Sequence, residues 1–308
     1  MSTGRRRATG AGDATLRCFF SGTDTHPIYV DRFAARRPVS AGQVVMVHGG
    51  FHTGVCYVAT PDGRPGWARR FAEAGYDVFV PDWPGHGRSP MRPDFRILSC
   101  VQVAEALIAL LEHVGPSTLL VHSASGPIAW WIAERRPELV RSIIALAPGP
   151  PANLLPVLPD DPVAVAALNH DDSHGRPIYA PEDKPVWINS EFVASSWTSS
   201  PRFPKHAVAE YCRSIVPESA RVLNERFNIG GRGLRIEDPY SLRGLRILIM
   251  TGDCDPRHPR AFDQATAEYL GADFCWLADR GFVGNGHMFM IEDNSNALAA
   301  LALEWLAR

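Results

Sequence analysis

The sequence predicts an α/β protein built on a mostly parallel sheet flanked by helices. Short apolar runs rich in β-branched residues alternate with longer amphipathic runs along most of the chain. Turn residues separate them: 26 glycines and 26 prolines among 308 residues are about one in six, against roughly one in eight in ordinary usage. That excess favours fixed turns and argues against a helical bundle or coiled coil. The chain is also 45% hydrophobic and 21% charged, enough apolar material to bury a sizeable core.

Taken in order, Gln43 to His48 is a compact β-branched run that ends at Gly49-Gly50, as a buried strand does when it meets a loop. Trp67 to Gly75 reads as a helix with Trp67, Phe71 and Ala72 on one side and Gly75 as its stop. Tyr76 to Val80 is the next strand, closed by Pro81-Asp82. Val101 to Val114 is an amphipathic helix with Val103, Leu107, Leu110 and Leu111 on one face. Strand Thr118 to His122, helix Gly126 to Arg136 and strand Ser142 to Leu146 follow. The alternation resumes at strand Arg246 to Thr251, a helix around Phe262 to Leu270, strand Asp273 to Leu277 and a last helix, Asn296 to Arg308. Between Pro148 and Leu242 it fails. That stretch is rich in proline, tryptophan and polar turns, with helical pieces expected at Asn189 to Ser196 and Pro204 to Arg226, and it reads as an insertion covering one end of the sheet.

Charge narrows the partners. With 31 basic and 33 acidic residues the net charge is -2, which gives no electrostatic basis for binding nucleic acid or an anionic membrane. Six cysteines stand singly, with no CxxC pair, so the expectation is reduced, mostly buried thiols in a cytoplasmic protein. Residues 1–15 read as a flexible tail; Arg5, Arg6 and Arg7 precede no apolar run, and a signal peptide is not expected. No stretch approaches the roughly 18 apolar residues of a membrane span. The polar cluster Asn169 to His174 reads as a solvated loop rather than a metal site.

The chemistry is concentrated in a few loops. In Leu119 to Gly126 a strand runs into serines flanked by small residues and a helix follows at once, the setting of a nucleophile elbow. Ser123 is favoured over Ser125, because the residue two positions later is then the small Ser125 rather than Pro127. The turn His48-Gly49-Gly50-Phe51 can aim a backbone N–H at an oxyanion, with the N–H of Ala124 as the second donor. Strand Leu248 to Thr251 ends in two acids, Asp253 and Asp255, and His287 lies in a glycine loop before the last helix. A serine needs a base at neutral pH, histidine titrates in the right range, and a carboxylate fixes its tautomer. All these residues fall at C-terminal strand ends, where open parallel sheets assemble their sites.

With these motifs in this order, the chain resembles the α/β-hydrolase family over about Gly42 to Ala147 and Leu245 to Arg308, including Asp82 to Ser89 (DWPGHGRS). The runs HGGFHTG, TPDGRPGWA, HSASGP, PGPP and GNGHMFMIEDNS look like the subgroup of bacterial esterases similar to esterase 713. Two departures stand out: Val121 occupies the elbow position that is usually glycine, and Ala147 occupies the position of the subgroup's catalytic glutamate. The resemblance implies an eight-stranded sheet, a core of residues 16–147 and 243–308, and a mainly helical cap over 148–242. It carries over Ser123 as nucleophile, His287 as base, Asp255 (over Asp253) as acid, and the N–H groups of Gly50, or failing it Phe51, and Ala124 as oxyanion donors.

The activity implied is cleavage of a carboxylic ester or lactone through an acyl-enzyme, without metal or organic cofactor. The same triad also serves amidases and C–C bond hydrolases, and a silent ligand-binding homologue is the reading from another class. Epoxide hydrolases and dehalogenases of this fold need an aspartate where Ser123 stands. The expected partner is a small-molecule ester, with a homodimer left open. Phe51, Trp83, Trp187 and Trp197, with Phe192 and Phe203, are the expected pocket walls, and few charges among them favour apolar or aromatic esters over charged ones.

Overall fold

The computed structural model describes residues 16–35, 38, 42–168 and 178–308. The expected tail over 1–15 and the polar cluster 169–174 lie outside the described residues. Eight strands form one sheet: β1 (Leu16–Gly22), β2 (Pro27–Phe33), β3 (Gln43–Val47), β4 (Asp77–Pro81), β5 (Ser117–His122), β6 (Val140–Leu146), β7 (Arg246–Thr251) and β8 (Asp273–Trp276). Their spatial order is β1-β2-β4-β3-β5-β6-β7-β8. β2 runs antiparallel to both its neighbours, and all pairs from β4 to β8 are parallel.

Alternation along the strands divides the core. Val44 and Met46 face one layer with Leu120, Ile144 and Leu248, and there they meet Trp67, Phe71, Phe289 and Leu298. Val45, Val47, Leu119, Val121 and Ile143 face the other, against Val103, Leu107, Trp130 and Leu270. Every residue of β5 is buried, as a central strand covered by helices on both faces must be. Val121 is one of these core residues, so its side chain packs into the layer beneath the sheet.

The helices are α1 (Val55–Val58), α2 (Trp67–Glu73), α3 (Cys100–Val114), α4 (Ser125–Arg135), α5 (Pro162–Ala166), α6 (Ser190–Phe192), α7 (Val208–Arg213), α8 (Ala220–Arg226), α9 (Arg260–Leu270) and α10 (Ser295–Leu306). α3 begins where a capping box allows it: the Ser99 hydroxyl accepts from the Gln102 N–H, and Gln102 accepts in return from the Ser99 N–H.

Between β6 and β7 the expected piece at 189–196 is α6 continuing into a wider π-type turn over Val193–Trp197. The single helical piece expected over 204–226 is broken into a short 3-10 turn, α7 and α8. Pro217 is the physical reason, since a proline within a helix removes an N–H and clashes with the preceding turn. The break has its own role. In it the Val216 N–H donates to the Phe51 carbonyl (3.0 Å) and Glu218 forms a two-bond bridge with Val186, which brings this segment down onto the loop after β3. Of the cysteines, Cys56, Cys100 and Cys275 are buried, Cys212 is intermediate, and Cys18 and Cys254 are exposed. Among the described residues no helix is long and apolar enough to cross a membrane.

Candidate active site

The turn after β5 is tight, and its residues are the ones such a turn requires. Ser123 sits at φ 52°, a left-handed conformation that a non-glycine residue adopts only where its surroundings enforce it. Here the Ser123 N–H donates to the Leu146 carbonyl (3.1 Å), and the Ser123 carbonyl accepts from Gly126 (2.9 Å) and Gly149 (2.8 Å). Gly126 has no substitute: a Cβ there would lie 2.4 Å from the Gly149 carbonyl oxygen. The second serine is spent on the turn itself. The Ser125 Oγ accepts from the His122 N–H (2.9 Å) and donates back to the His122 carbonyl (2.8 Å), fully buried, whereas the Ser123 hydroxyl faces the cleft.

The structure brings Ser123, His287 and Asp255 together from three separate loops. His287 Nε2 lies 3.1 Å from Ser123 Oγ, and His287 Nδ1 lies 2.7 Å from Asp255 Oδ2. The other carboxyl oxygen of Asp255 accepts from the Arg257 N–H (2.9 Å). Burial alone would raise the Asp255 pKa, but the facing His287 and His258 and these hydrogen bonds outweigh it and hold the carboxyl at about 2. Burial lowers the His287 pKa below its ordinary value, with Asp255 pulling partly the other way. The imidazole is therefore neutral at pH 7 and can accept a proton. Asp253, the alternative acid, braces the histidine loop instead, accepting from the Gly284 and Asn285 N–H groups at 2.8 and 3.2 Å. Buried Glu292 holds the same loop through Gly286 N–H and Asn285, and ties it to Ser200 of the insertion.

The loop after β3 is fixed by side chains that face it. His48 Nδ1 donates to the Gly49 carbonyl (2.8 Å) while its Nε2 accepts from the Trp83 N–H (3.0 Å). His52 Nδ1 donates to the Gly50 carbonyl (2.7 Å) and its Nε2 accepts from Tyr211 of the insertion (2.7 Å). Burial drives the His52 pKa down to about 4, which keeps it neutral in that bridging role. Gly50 and Ala124 line the cleft beside Ser123. Phe51 departs from expectation: at φ 63° its N–H points to Glu218 Oε2 (3.1 Å) and is already committed there. Glu218 is fully buried, with Oε1 accepting from the Ser219 N–H (2.7 Å) and Oε2 also facing His86 Nε2 (3.3 Å). Burial works to lower the His86 pKa, but the Glu218 carboxylate prevails and raises it. Sequence reasoning missed Glu218; the one local signal was the Pro217 break that carries it.

The cleft over Ser123 holds about 460 Å³ of empty space, part of it open to solvent. Phe51, Phe192 and Trp197 line it, as expected. Trp83 does not: it is fully buried beneath the loops, 4.9 Å from the His48 ring. Trp187 does not either, being 71% exposed on the outer surface, and Phe203 packs on Tyr211 in the core. The expectation of few charges also fails, because Glu218, Arg226 and Arg257 are part of the wall.

Behind Asp255, His258 stacks on His287 (5.2 Å between rings) and its Nδ1 faces Asp263 at 3.0 Å. Asp255, His258 and His287 could each offer a ligand atom to one cation, all within 4.8 Å of one another. Both nitrogens of His287 are already engaged, so a cation bound to it would displace its hydrogen bond to Asp255 or the one to Ser123.

Several known proteins resemble the chain. A model of the alpha/beta hydrolase family matches residues 44–301. A probable secreted lipase, phiG, of a fungus (Fungal sp.) is 26% identical over 365 residues, spanning 97% of this chain and 91% of its own. A thermophilic esterase from Thermogutta terrifontis, solved with malate bound, superposes with a TM-score of 0.67 at 18% identity, over 96% of this chain and 98% of that one. The enol-lactonase from Burkholderia xenovorans LB400 gives 0.63 at 13% identity, over 94% and 100%.

Proposed function

The chain belongs to the alpha/beta hydrolase family, and from that premise we propose that it is a serine hydrolase cleaving a carboxylic ester or lactone through an acyl-enzyme. One observation carries the reading: the unbroken hydrogen-bonded series Ser123–His287–Asp255 at the mouth of a partly apolar cleft. The lipase and lactonase names among its relatives point the same way.

In this reading His287, neutral at pH 7, takes the Ser123 proton as Oγ attacks the ester carbonyl. Asp255 stays ionised and stabilises the imidazolium that forms. The tetrahedral oxyanion is held by the N–H groups of Gly50 and Ala124. Phe51 N–H contributes only if Glu218 releases it, so its part in this structure is to fix the loop's course. His287 then gives the proton to the leaving alcohol, and water repeats the sequence on the acyl-Ser123. The apolar part of the substrate rests on Phe51, Phe192 and Trp197. Ser123→Ala should lower kcat on a p-nitrophenyl ester by about 10^3- to 10^6-fold without loss of folding, measured by steady-state kinetics. Undiminished turnover would remove the proposal.

A further inference from the structure

Two guanidiniums share the cleft with Ser123 and His287: Arg226, at the end of α8, and Arg257, two residues beyond Asp255. Arg257 is only 8% exposed. Several other arginines are matched by an acid, Arg32 with Asp77, Arg88 with Asp82, and Arg221 and Arg232 with Glu182. Among the described residues neither Arg226 nor Arg257 has an ion-pair partner; they lie instead over the rings of Phe227 and Phe192.

The nearby carboxylates are committed elsewhere. Asp255 spends its oxygens on His287 and on the Arg257 N–H, and Glu218 on Phe51, Ser219 and His86. Glu225 accepts from the Cys100 N–H. Burial and the neighbouring charge of Arg257 bring the Arg226 pKa down to about 9, and burial lowers that of Arg257 against the pull of Asp255. Asp255 attracts both guanidiniums but pairs with neither side chain, so two like charges in one part-buried wall leave a place for a further anion. A guanidinium is also the group best suited to take a carboxylate by paired hydrogen bonds.

The geometry points to an anion subsite in which Arg226 and Arg257 receive a carboxylate carried by the substrate itself. The preferred substrate is then an ester with an apolar stretch for Phe192 and Trp197 and a free carboxylate for the two arginines. This reverses the expectation that charged esters are disfavoured, and it rests on the ester-hydrolase reading.

The test compares ester pairs that differ only in charge, using the full chain. In one pair the charge is on the acyl side, mono-p-nitrophenyl glutarate against its methyl ester; in the other it is on the alcohol side, 4-butyryloxybenzoate against its methyl ester. The anionic member of at least one pair should have the higher kcat/KM, by roughly 10- to 100-fold and mainly through KM. Arg226→Gln and Arg257→Gln should collapse that preference, and Arg226→Lys should restore part of it. If the wild-type protein hydrolyses both members of both pairs equally, or prefers the neutral ones, the subsite is overturned and the ester-hydrolase reading stands. A preference that survives both glutamine variants overturns it as well. If no ester is cleaved and a fluorophosphonate leaves Ser123 unlabelled, the underlying reading falls and the subsite with it.

Discussion

At Asp255 one carboxyl oxygen accepts from His287 and the other from the Arg257 N–H, so the imidazole is held in one tautomer and one orientation. Replacing Asp255 by Asn keeps the shape but offers an amide where an acceptor is needed, and kcat should fall by about 10^4-fold. The acid limb of the kcat/KM profile should also move. Burial places the His287 pKa below its ordinary value, and the Asp255 charge is what raises it partway back. Without that charge the protonated imidazole is less stable, so the residual activity of D255N should persist to lower pH than that of the wild type. A pH–rate profile from about pH 4 to 9 measures this, and a limb that moves upward contradicts the assignment. D253N should cost far less, roughly tenfold, because Asp253 only braces the backbone of the histidine loop. At this scale Ser123 and His287 were legible, since each sits in a local pattern of small residues that a sharp turn demands. Glu218, Arg226 and Arg257 were not. Glu218 and Arg226 reach the cleft only because the insertion folds back, with Pro217 the one local signal for Glu218, and Arg257 meets the insertion only through the ring of Phe192.

The elements were legible wherever one physical signal dominated. β3, β5 and β7 are buried β-branched runs, and α3 has both its apolar stripe and its Ser99 cap. The failure over 204–226 shows the limit: one helical piece is expected straight through Pro217, where the backbone cannot continue a helix. Trp187 and Trp83 misled for a related reason, because aromatic character alone does not say which side of a loop faces the cleft. The elbow makes the sharpest prediction at this scale. Gly126→Ala puts a methyl 2.4 Å from the Gly149 carbonyl oxygen, and backbone must shift to relieve it. The expected cost is about 1–3 kcal/mol, a drop of several degrees in Tm, with kcat reduced as the Ser123 turn opens. Thermal unfolding and kinetics on the same preparation check it, and an unchanged Tm would show that the turn is looser than its hydrogen bonds imply.

In the molecule as a whole, the parallel strands bring the loops after β3, β5 and β7 to one end of the sheet, with β6 between β5 and β7, and the insertion between β6 and β7 supplies the opposite wall. Alternation of strands and helices revealed the parallel core; it could not reveal the first antiparallel hairpin, which lies ahead of that pattern. The proposed function carries one covalent consequence, that Ser123 becomes acylated. Rapid acid quenching of the protein during turnover of a p-nitrophenyl ester, followed by intact-mass and peptide mass spectrometry, tests it directly. An added acyl mass is expected on the peptide containing Ser123, absent in Ser123→Ala and formed far more slowly when His287 is replaced by a residue that cannot take the Ser123 proton. An ester hydrolysed at full rate with no acyl adduct at any time, or with the adduct on another residue, would contradict it.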